Sequence, residues 1–525
     1  MTKYLLKRLL HGLLSLAVVV AIVMLLIYSF LEKDLIFAGD PNFSKLKHNS
    51  KDTYMYQQWE KYGYLDYVPY ADYVQELLKA GEITQEEYSD IAKLGATAEK
   101  DSETAAPYIQ KFIEKYEADG YQIERLPGKL KGKTKKYHEG GEPRLFAYKD
   151  IPLINRLVDY FGGLISVDDI DYVEQDIEDR GISFTLYDPA YGGEKFSPAI
   201  MGNGTKHKYL LYFDDQFPYI HQNLVKINLG TSYSVNRGID VFDTMTTSQG
   251  SFVKSVVTYP SGVVEETADN IHSATYMAGS LEKGTAVTKQ YYVDDYTVVT
   301  THKNGLSRVG YSFVIGIISV ILSYLLAIPL GTLMALKKDK FIDHLGTFYI
   351  VFILAVPSLA YIFMFKAIGG SMGLPTTFSV DDASWKMYVL PIISLSLPSV
   401  ANLMKWLRRY IIDQMNSDYV KFARSGGLSE GEIFSKHILK NAMIPIVHGI
   451  PGSILGALVG AIITERVYVV PGAGNLLTNA INAYDNGVIV GVTLFYGLLS
   501  VVSIILGDLL MSMVDPRINF TAKRR

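Results

Sequence analysis

Cysteine is absent from the 525 residues of this chain. Its absence excludes disulfide bonds and thiolate metal sites. The net charge is also small, −4 from 50 Lys and Arg against 54 Asp and Glu, and gives no sign of nucleic-acid binding. The phosphate-binding pattern GxxxxGK followed by Ser or Thr does not occur, and neither does the zinc-binding pattern HExxH. We therefore expect no ATP site, no metal site and no catalytic residue in this chain.

Long apolar runs are missing from residues 32–307, but they are present on both sides of that region. A helix needs about 20 apolar residues to cross a bilayer core. Six runs approach or exceed this length, at residues 1–31, 309–336, 345–365, 387–404, 444–464 and 488–506. The first run is too long for a signal peptide and ends at a poor cleavage site, so we expect it to remain as the first span.

Lysine and arginine are absent from residues 369–385 and 467–487. They accumulate instead at the other ends of the predicted spans, in residues 3–8, 337–340, 405–440 and 517–525. Short loops rich in Lys and Arg stay on the cytoplasmic side of a membrane. We therefore expect a multi-pass membrane protein with both termini in the cytoplasm and residues 32–307 outside the cell.

Residues 32–307 are rich in tyrosine and too aromatic for a disordered linker. Helical patterns dominate the first half, and patterns of β-branched and aromatic residues between turn signals dominate the second half. The predicted organisation is therefore helix 1 in residues 1–31, an inserted α+β domain in 32–307, helices 2 to 6 in 308–515 and a cytoplasmic tail in 516–525.

The segment 405–443 holds a helix, an elbow and a second helix. Residues 416–418 offer capping side chains for a helix over 419–425, and Gly426 and Gly427 end that helix. Ser429 and Glu432 have the spacing of a capping box, which predicts a second helix over 430–442. Since the segment lies between two predicted spans, we expect it to protrude from the membrane.

The order of residues in this segment carries a family resemblance. The residues are Asp418, Tyr419, Val420, Ala423, Arg424, Gly427, Leu428, Ser429, Glu430, His437, Asn441, Ala442, Ile444 and Pro445. They resemble the cytoplasmic EAA loop of ATP-binding cassette (ABC) importer permeases, above all the B-type subunits of oligopeptide and dipeptide importers. The resemblance extends over about residues 1–40, 215–235 and 305–520. It implies the type I ABC importer permease fold, with six transmembrane helices and, here, an enlarged extracellular domain.

By this resemblance the elbow docks onto an ATPase subunit. The implied docking residues are Asp418, Tyr419, Ala423, Arg424, Gly427, Leu428, Ser429, Glu430 and His437. A second match, from Thr464 to Gly474, resembles an outer re-entrant loop of the family. Its implied gate residues are Glu465, Arg466, Pro471, Gly472 and Gly474. Arg466 replaces a residue that is usually small, and we expect it to form a charge pair with Glu465.

Polar residues inside the predicted spans are candidates for the pore. Such groups are costly in a bilayer and usually face protein or water. Ser358, Ser394 and Asn402 are therefore possible pore-lining residues. For the two serines, packing between helices is the alternative.

The resemblance predicts a permease subunit, not an enzyme, that forms half of a translocation pathway for oligopeptides in the bacterial plasma membrane. The implied partners are a C-type permease, two ATPases that hold ATP and magnesium, and an extracellular peptide-binding lipoprotein. We expect residues 32–307 to dock that lipoprotein or to wall the entry path. Alternatives are a permease for nickel or another small solute, a membrane receptor with a sensory ectodomain, and a membrane-embedded enzyme.

Overall fold

A computed structural model describes residues 2–47, 49–97, 103–126, 130–131, 136–137, 145–213, 220–283, 286–380 and 384–515. The predicted tail, 516–525, lies outside the described residues. The chain divides into two compact units. The smaller unit is Ala21–Gly163 with Ala483–Asn486, and the larger unit holds Met1–Val20, Leu164–Asn482 and Gly487–Arg525.

The chain begins with a long apolar helix, α1, at Thr2–Phe30. Further helices before residue 163 are α2 Pro41–Lys45, α3 Asn49–Lys61, α4 Tyr70–Lys79, α5 Gln85–Thr97, α6 Ala106–Ala118 and α7 Leu153–Gly162. The strands are β1 Leu65–Pro69, β2 Gln122–Arg125, β3 Leu130–Lys131, β4 Lys136–Tyr137 and β5 Leu145–Asp150. Strands β1, β5 and β2 form an antiparallel sheet in that order. Tyr70, Val74 and Phe112 are fully buried in the core that packs beside this sheet.

Strands dominate residues 164–307, as the sequence predicts. They are β6 Ile165–Val167, β7 Gly181–Thr185, β8 Ala199–Asn203, β9 Tyr209–Phe213, β10 Ile220–Gln222, β11 Val225–Ile227, β12 Ser255–Thr258, β13 Val264–Thr267, β14 Asp269–Tyr276 and β15 Tyr296–Thr301. The short helices are α8 Val241–Thr246, α9 Ser280–Lys283 and α10 Ala286–Tyr291. Four strands form an antiparallel sheet in the order β10-β9-β8-β7.

The predicted inserted domain, residues 32–307, is not one compact unit, because it divides at Gly163 and Leu164. Residues 164–307 pack within the larger unit because they share an apolar cluster with its last helix. Leu229 and Val241 join one apolar cluster with Val488 and Val492. The backbone approach there is close, since a Cβ on Gly491 would lie 2.6 Å from the carbonyl oxygen of Leu229.

The remaining helices belong to the larger unit, except that α20 begins at its boundary with the smaller one. They are α11 Arg308–Leu336, α12 Phe341–Ala355, α13 Ser358–Ser371, α14 Lys386–Met415, α15 Asp418–Ser425, α16 Glu430–Glu432, α17 Lys440–His448, α18 Ile450–Tyr468, α19 Ala473–Asn482 and α20 Asn486–Val514. Among the described residues, α1, α11, α14, α18 and α20 are each long and apolar enough to cross a membrane.

The predicted third span, 345–365, is not a single helix. It is the pair α12 and α13, bent by 110° at the break between them. The cause lies in Pro357, which disfavours helical backbone at the residue before it. Val356 is accordingly extended, with φ −80° and ψ 131°, and its conformation ends α12. The described residues thus hold five spanning helices, or six if this bent pair is one span.

Helices α11 and α14 run side by side in the same direction. Ser319 and Ser323 of α11 donate hydrogen bonds of 3.2 Å to the carbonyl oxygens of Ile392 and Ser396 of α14. Later along both helices, a Cβ on Gly331 would lie 3.3 Å from Met404. Contacts that advance together along both helices require parallel directions. The chain between α11 and α14 must therefore return along the length of the pair.

Helix α18 runs opposite to α11. Ser312 contacts Glu465, Gly316 faces Leu458, and Tyr324 bonds to Ser453. Helices α1 and α20 are antiparallel too, since Arg8 pairs with Asp508 at 2.7 Å while Leu16 lies against Gly497. His448, just before α18, lies 2.9 Å from the carbonyl oxygen of Gly507 near the end of α20. The N-terminal ends of α1 and α18 therefore lie on the same side as the C-terminal ends of α11, α14 and α20.

Candidate functional site

The elbow between α14 and α18 begins with α15, Asp418–Ser425. Gly427 follows with φ +84°, a backbone conformation in which a side chain is strained. Ser429 then starts the next helix as the N-terminal residue of a capping box. Its hydroxyl accepts the Glu432 N–H at 3.3 Å, and the Glu432 carboxylate accepts the Ser429 N–H at 3.3 Å. The elbow and the capping box are thus present as the sequence predicts.

Two details of the elbow differ from prediction. No side chain of residues 416–418 caps α15. The Ser417 hydroxyl instead donates a hydrogen bond of 2.6 Å to the carbonyl oxygen of Gln414. The second helix also continues past Ala442. It passes through a π-helical stretch, Ile433–Leu439, into α17, Lys440–His448, and Pro445 lies inside α17.

The elbow rests on the ends of two long helices. Val420 of α15 and Ile433 of the π-helical stretch are fully buried. They share an apolar cluster with Ala335 of α11 and with Leu407 and Ile411 of α14. A push on α15 is therefore transmitted through close-packed side chains, which resist compression.

An ion pair closes the outer side of the elbow. Arg424 donates Nε to Glu430 Oε1 at 2.5 Å and Nη2 to Glu430 Oε2 at 3.0 Å. This bidentate bond lowers the pKa of the Glu430 carboxyl and raises the pKa of the Arg424 guanidinium. Both groups are solvent-exposed, so the pair orients the elbow more than it stabilises it.

The other predicted docking residues surround this pair. Asp418 is exposed and bonds to Lys421 at 2.9 Å. The Tyr419 hydroxyl donates to Gln414 Oε1 at 2.5 Å, accepts from Asn441 at 3.1 Å and lies 3.4 Å from the carbonyl oxygen of His437. Tyr419 and His437 therefore tie the two helices of the elbow together. Ala423 is partly buried beneath this surface, and Gly427, Leu428 and Ser429 are exposed.

Phe422 is an additional candidate that the sequence reasoning missed. Its side chain is 80% exposed on α15, next to the less exposed Leu428 at 41% and Tyr419 at 38%. The signal in the sequence is an aromatic residue among Lys421, Arg424 and other polar positions of an amphipathic helix. An exposed apolar group rimmed by charges is typical of a protein-binding surface.

Glu465 of α18 is fully buried, and its partners are all uncharged. Ser312 Oγ donates to Glu465 Oε1 at 2.6 Å, and the Asn475 N–H donates to Oε2 at 2.9 Å. The Ala473 N–H in turn donates to Ser312 Oγ at 2.9 Å. Glu465 and Ser312 thus satisfy the free N–H groups at the start of α19, where a negative charge is favoured.

The predicted charge pair between Glu465 and Arg466 is wrong. Arg466 is exposed and donates to the side chain of Asn479, while the Glu465 carboxylate points into the protein. Among the described residues no ion pair joins the two side chains. Consecutive residues of a helix do not face each other, which explains the separation.

The glycines of this element let the Glu465 carboxylate enter. A Cβ on Gly472 would lie 2.3 Å from the carboxyl carbon of Glu465. A Cβ on Gly474 would lie 2.6 Å from Ile462 and 3.0 Å from Glu465 Oε2. Pro471 is partly buried between the end of α18 and the start of α19. The predicted gate residues other than Arg466 therefore form one structural joint.

The three candidate pore residues line one cavity of about 640 Å³. Ser358, Ser394 and Asn402 all contribute to its wall. Ser394 also bonds to the Tyr468 hydroxyl at 2.9 Å, which is the packing role foreseen for the serines. Gly452 and Gly456 of α18 line the same cavity, and a Cβ on either would meet no described atom within 4 Å.

Comparison with known proteins identifies the family. Residues 327–520 match the family "Binding-protein-dependent transport system inner membrane component". The chain is 35% identical over 529 residues to the oligopeptide transport system permease protein AmiC of Streptococcus pneumoniae serotype 4, covering 100% of this chain and 99% of that one. It is 30% identical to the dipeptide transport system permease protein DppB of Lactococcus lactis subsp. cremoris, over 40% of this chain and 69% of the relative.

Among solved structures, an amino acid ABC transporter with histidines matches 40% of this chain and 92% of its own, at 15% identity and a TM-score of 0.31. The assignment to a family rests on the similarity to AmiC over the whole length of both chains and not on this solved structure. The chain therefore belongs to the binding-protein-dependent transport system inner membrane components, among the permease proteins of oligopeptide transport systems.

Proposed function

We propose that this chain forms half of the translocation pathway of an ABC importer for oligopeptides and receives its driving force from partner ATPases. The observation that carries the proposal is the match to an oligopeptide permease over the full length of both chains. The capped elbow on the ends of α11 and α14 supports it, since a coupling element must be stiff and must contact the moving helices.

The elbow acts in this proposal as a lever. Two ATPases close on ATP and magnesium, which they hold themselves, and Phe422 and Arg424 sit on their surface. Movement of α15 passes through Val420 to Leu407 and Ile411 of α14. The long helices then tilt, and the pathway changes between outward and inward openings.

Six spans with both termini in the cytoplasm fit the helix directions best. Because α11 and α14 are parallel, the bent pair α12 and α13 has to carry the chain back to the starting side of α14. A re-entrant pair would leave the chain on the wrong side. The Lys and Arg of residues 337–340 and 405–440 then share the cytoplasmic side, and residues 32–307 lie outside.

The cavity lined by Ser358, Ser394 and Asn402 is our candidate for the wall of the pathway. A glycine inside a helix costs about 1 kcal/mol relative to alanine, so Gly452 and Gly456 need a reason. Contacts within the described chain do not supply one. In this proposal, Gly452 and Gly456 leave space for the passing peptide or for a helix of the second permease.

Four kinds of partner follow from this function. They are a C-type permease that completes the pathway, two ATPases, an extracellular peptide-binding lipoprotein and the lipid bilayer. Residues 32–307 are the proposed docking region for the lipoprotein. The chain itself needs no cofactor for this role.

The test is to purify the tagged full-length chain in mild detergent and to identify the co-purifying proteins by mass spectrometry. Two P-loop ATPases, a second permease and a lipoprotein carrying peptides are expected. A lipoprotein carrying a metal chelate or another small solute would replace the peptide assignment. Recovery of a stable homo-oligomer without ATPases would overturn the importer and favour a receptor.

A further inference from the structure

The strand-rich part of the larger unit contains a cavity of about 350 Å³. Its lining comes mostly from β9, β14, the β12–β13 turn and the segment before β15. The apolar and aromatic wall residues are Met201, Tyr209, Tyr259, Ile271, Tyr292 and Tyr296. Ligand cavities are typically about 300 to 1,000 Å³ and apolar, with a few placed polar groups.

Three of the four tyrosines of this cavity are held by their hydroxyl groups. Tyr209 donates to Asp188 at 3.1 Å, and Tyr259 donates to Asp269 at 2.8 Å. Tyr296 donates to the carbonyl of Thr205 at 2.8 Å. With these hydroxyls already bonded to the protein, the rings offer their apolar surfaces to the cavity in fixed orientations.

Two opposite charges complete the wall. Lys208 Nζ and Asp294 Oδ2 are 2.6 Å apart, and the two side chains are 30% and 35% exposed to solvent. Lys208 Nζ also lies 4.7 Å from the ring centre of Tyr296. A ligand in the cavity therefore meets aromatic rings together with a cation and an anion that water still reaches.

We propose that this tyrosine cavity binds an aromatic or large aliphatic side chain of an oligopeptide, with the adjoining charged or polar backbone at Lys208 and Asp294. The inference rests on the proposed function and extends it, since it places a peptide subsite on the permease itself. A cavity of this size suits one side chain. A docked protein would instead bury about 800 Å² of surface on each partner.

Peptide binding to the full-length chain in nanodiscs tests the proposal. The probes are fluorescently labelled Ala-Phe-Ala and Ala-Gly-Ala, measured by anisotropy in the absence of the lipoprotein. We expect the phenylalanine peptide to bind at least tenfold more tightly. Met201→Trp, which fills the cavity, should weaken its binding at least tenfold.

Ile182→Trp is the matched control, because Ile182 is 65% exposed on β7 and lies outside the lining. It should leave binding unchanged. Should Met201→Trp fail to fold by circular dichroism, Tyr292→Leu keeps the apolar character but removes one ring, and it should reduce the preference for phenylalanine. Lys208→Gln should weaken both peptides alike.

Equal binding of the two peptides would overturn the proposal, and so would unchanged binding by Met201→Trp and Tyr292→Leu. Loss of lipoprotein capture by Met201→Trp, with peptide binding intact, would assign the cavity to the lipoprotein and contradict the inference. Peptide uptake by the whole transporter distinguishes failure of this inference from failure of the proposed function. If uptake is seen but the cavity variants bind peptide normally, only this inference fails; without peptide uptake the proposed function itself fails.

Discussion

Glu465 shows how one buried carboxylate can organise a joint between two helices. It accepts hydrogen bonds from Ser312 and from the backbone of α19, and the space it occupies exists because residue 472 is glycine. The same carboxylate would be costly if it lost these donors, since an unpaired buried charge is strongly destabilising.

We expect Gly472→Ala to destabilise the protein by about 1 to 3 kcal/mol, the usual cost of overpacking. The added methyl would have to displace the Glu465 carboxyl group. Thermal unfolding in detergent measures the effect. Gly456→Ala is the matched control, because its Cβ meets no described atom within 4 Å, and it should not lower the melting temperature. Equal melting temperatures for both variants would contradict this account of the joint.

A second residue-scale prediction concerns Asp168, whose side chain is 3% exposed. Its carboxylate accepts the N–H groups of Lys206 and His207, at 2.8 and 2.9 Å, and contacts His207 Nδ1 at 2.9 Å. Asp168→Ala should cost about 3 kcal/mol of unfolding free energy, because buried donors lose a charged acceptor. Asp176→Ala, at an exposed position, should cost little.

The same residue sets a pH dependence. Burial would raise the Asp168 pKa, but the hydrogen bonds from His207 and Lys206 outweigh it and hold the pKa below its ordinary value of about 3.9. Its stabilising contribution is therefore full above about pH 4 and is lost as the pH falls through the lowered pKa. Thermal unfolding at pH 6 and pH 3 should show a smaller drop in Asp168→Ala than in the wild type, and an equal drop would contradict this role.

At this scale the sequence identified positions better than partners. Glu465, Gly472 and Gly474 were recognisable as a motif, whereas the bond from Ser312 to Glu465 joins residues 153 positions apart. Such a contact follows from the packing of α11 on α18 and leaves no local pattern. The polar neighbours of Phe422 mark it as a candidate, but how far its side chain is exposed depends on how α15 packs on the long helices.

At the scale of elements, the elbow depends on one backbone conformation. Gly427 has φ +84° and Gly431 is helical, yet a Cβ at either position would meet no described atom within 4 Å. The two glycines thus differ only in backbone geometry. A side chain is strained in the left-handed region, and asparagine tolerates it better than alanine does.

We therefore expect Gly427→Val and Gly427→Ala to reduce peptide uptake strongly, with Val the more severe, while membrane insertion stays normal. Gly431→Ala should transport as the wild type does, and Gly427→Asn should retain most activity. Uptake of a radiolabelled peptide at equal membrane abundance gives the comparison. Uptake at the wild-type level by Gly427→Val would contradict a role of the elbow in coupling.

The elbow and the broken third span illustrate what local patterns contain. The glycine and the capping box determine short-range geometry, so their outcome was predictable from a few residues. Pro357 predicts a break in the span. The angle of 110° between α12 and α13, however, depends on how the two helices pack on α14. The π-helical stretch Ile433–Leu439 likewise has no local signature.

On the scale of the whole molecule, the absence of cysteine makes topology directly testable. Single cysteines can be placed at the exposed positions Ser183, Thr377 and Ser425 without interference. In intact cells, a membrane-impermeant maleimide should label positions 183 and 377, and it should label position 425 only after permeabilisation. Protection of position 377 together with labelling of position 425 from outside would make α12 and α13 a re-entrant pair.

The sequence also predicted the family and, apart from the broken third span, the long apolar helices, because hydropathy and an ordered motif are visible without tertiary information. It did not predict the division of residues 32–307. That division depends on long-range contacts such as Leu229 and Val241 with Val488 and Val492. The tyrosine cavity was equally hidden, since its wall collects residues from positions 189 to 296.

The central claim is that the elbow delivers the force of an ATPase to α11 and α14. The most direct measurement introduces Phe422→Cys into this cysteine-free chain and applies a short cysteine-reactive photocrosslinker to membranes containing the assembled transporter. The account predicts crosslinking to a P-loop ATPase subunit, with a yield that changes between ATP-bound and nucleotide-free states, and little crosslinking from Ser183→Cys. Crosslinking from position 422 to lipid or to another membrane protein, with no ATPase adduct in either state, would contradict it.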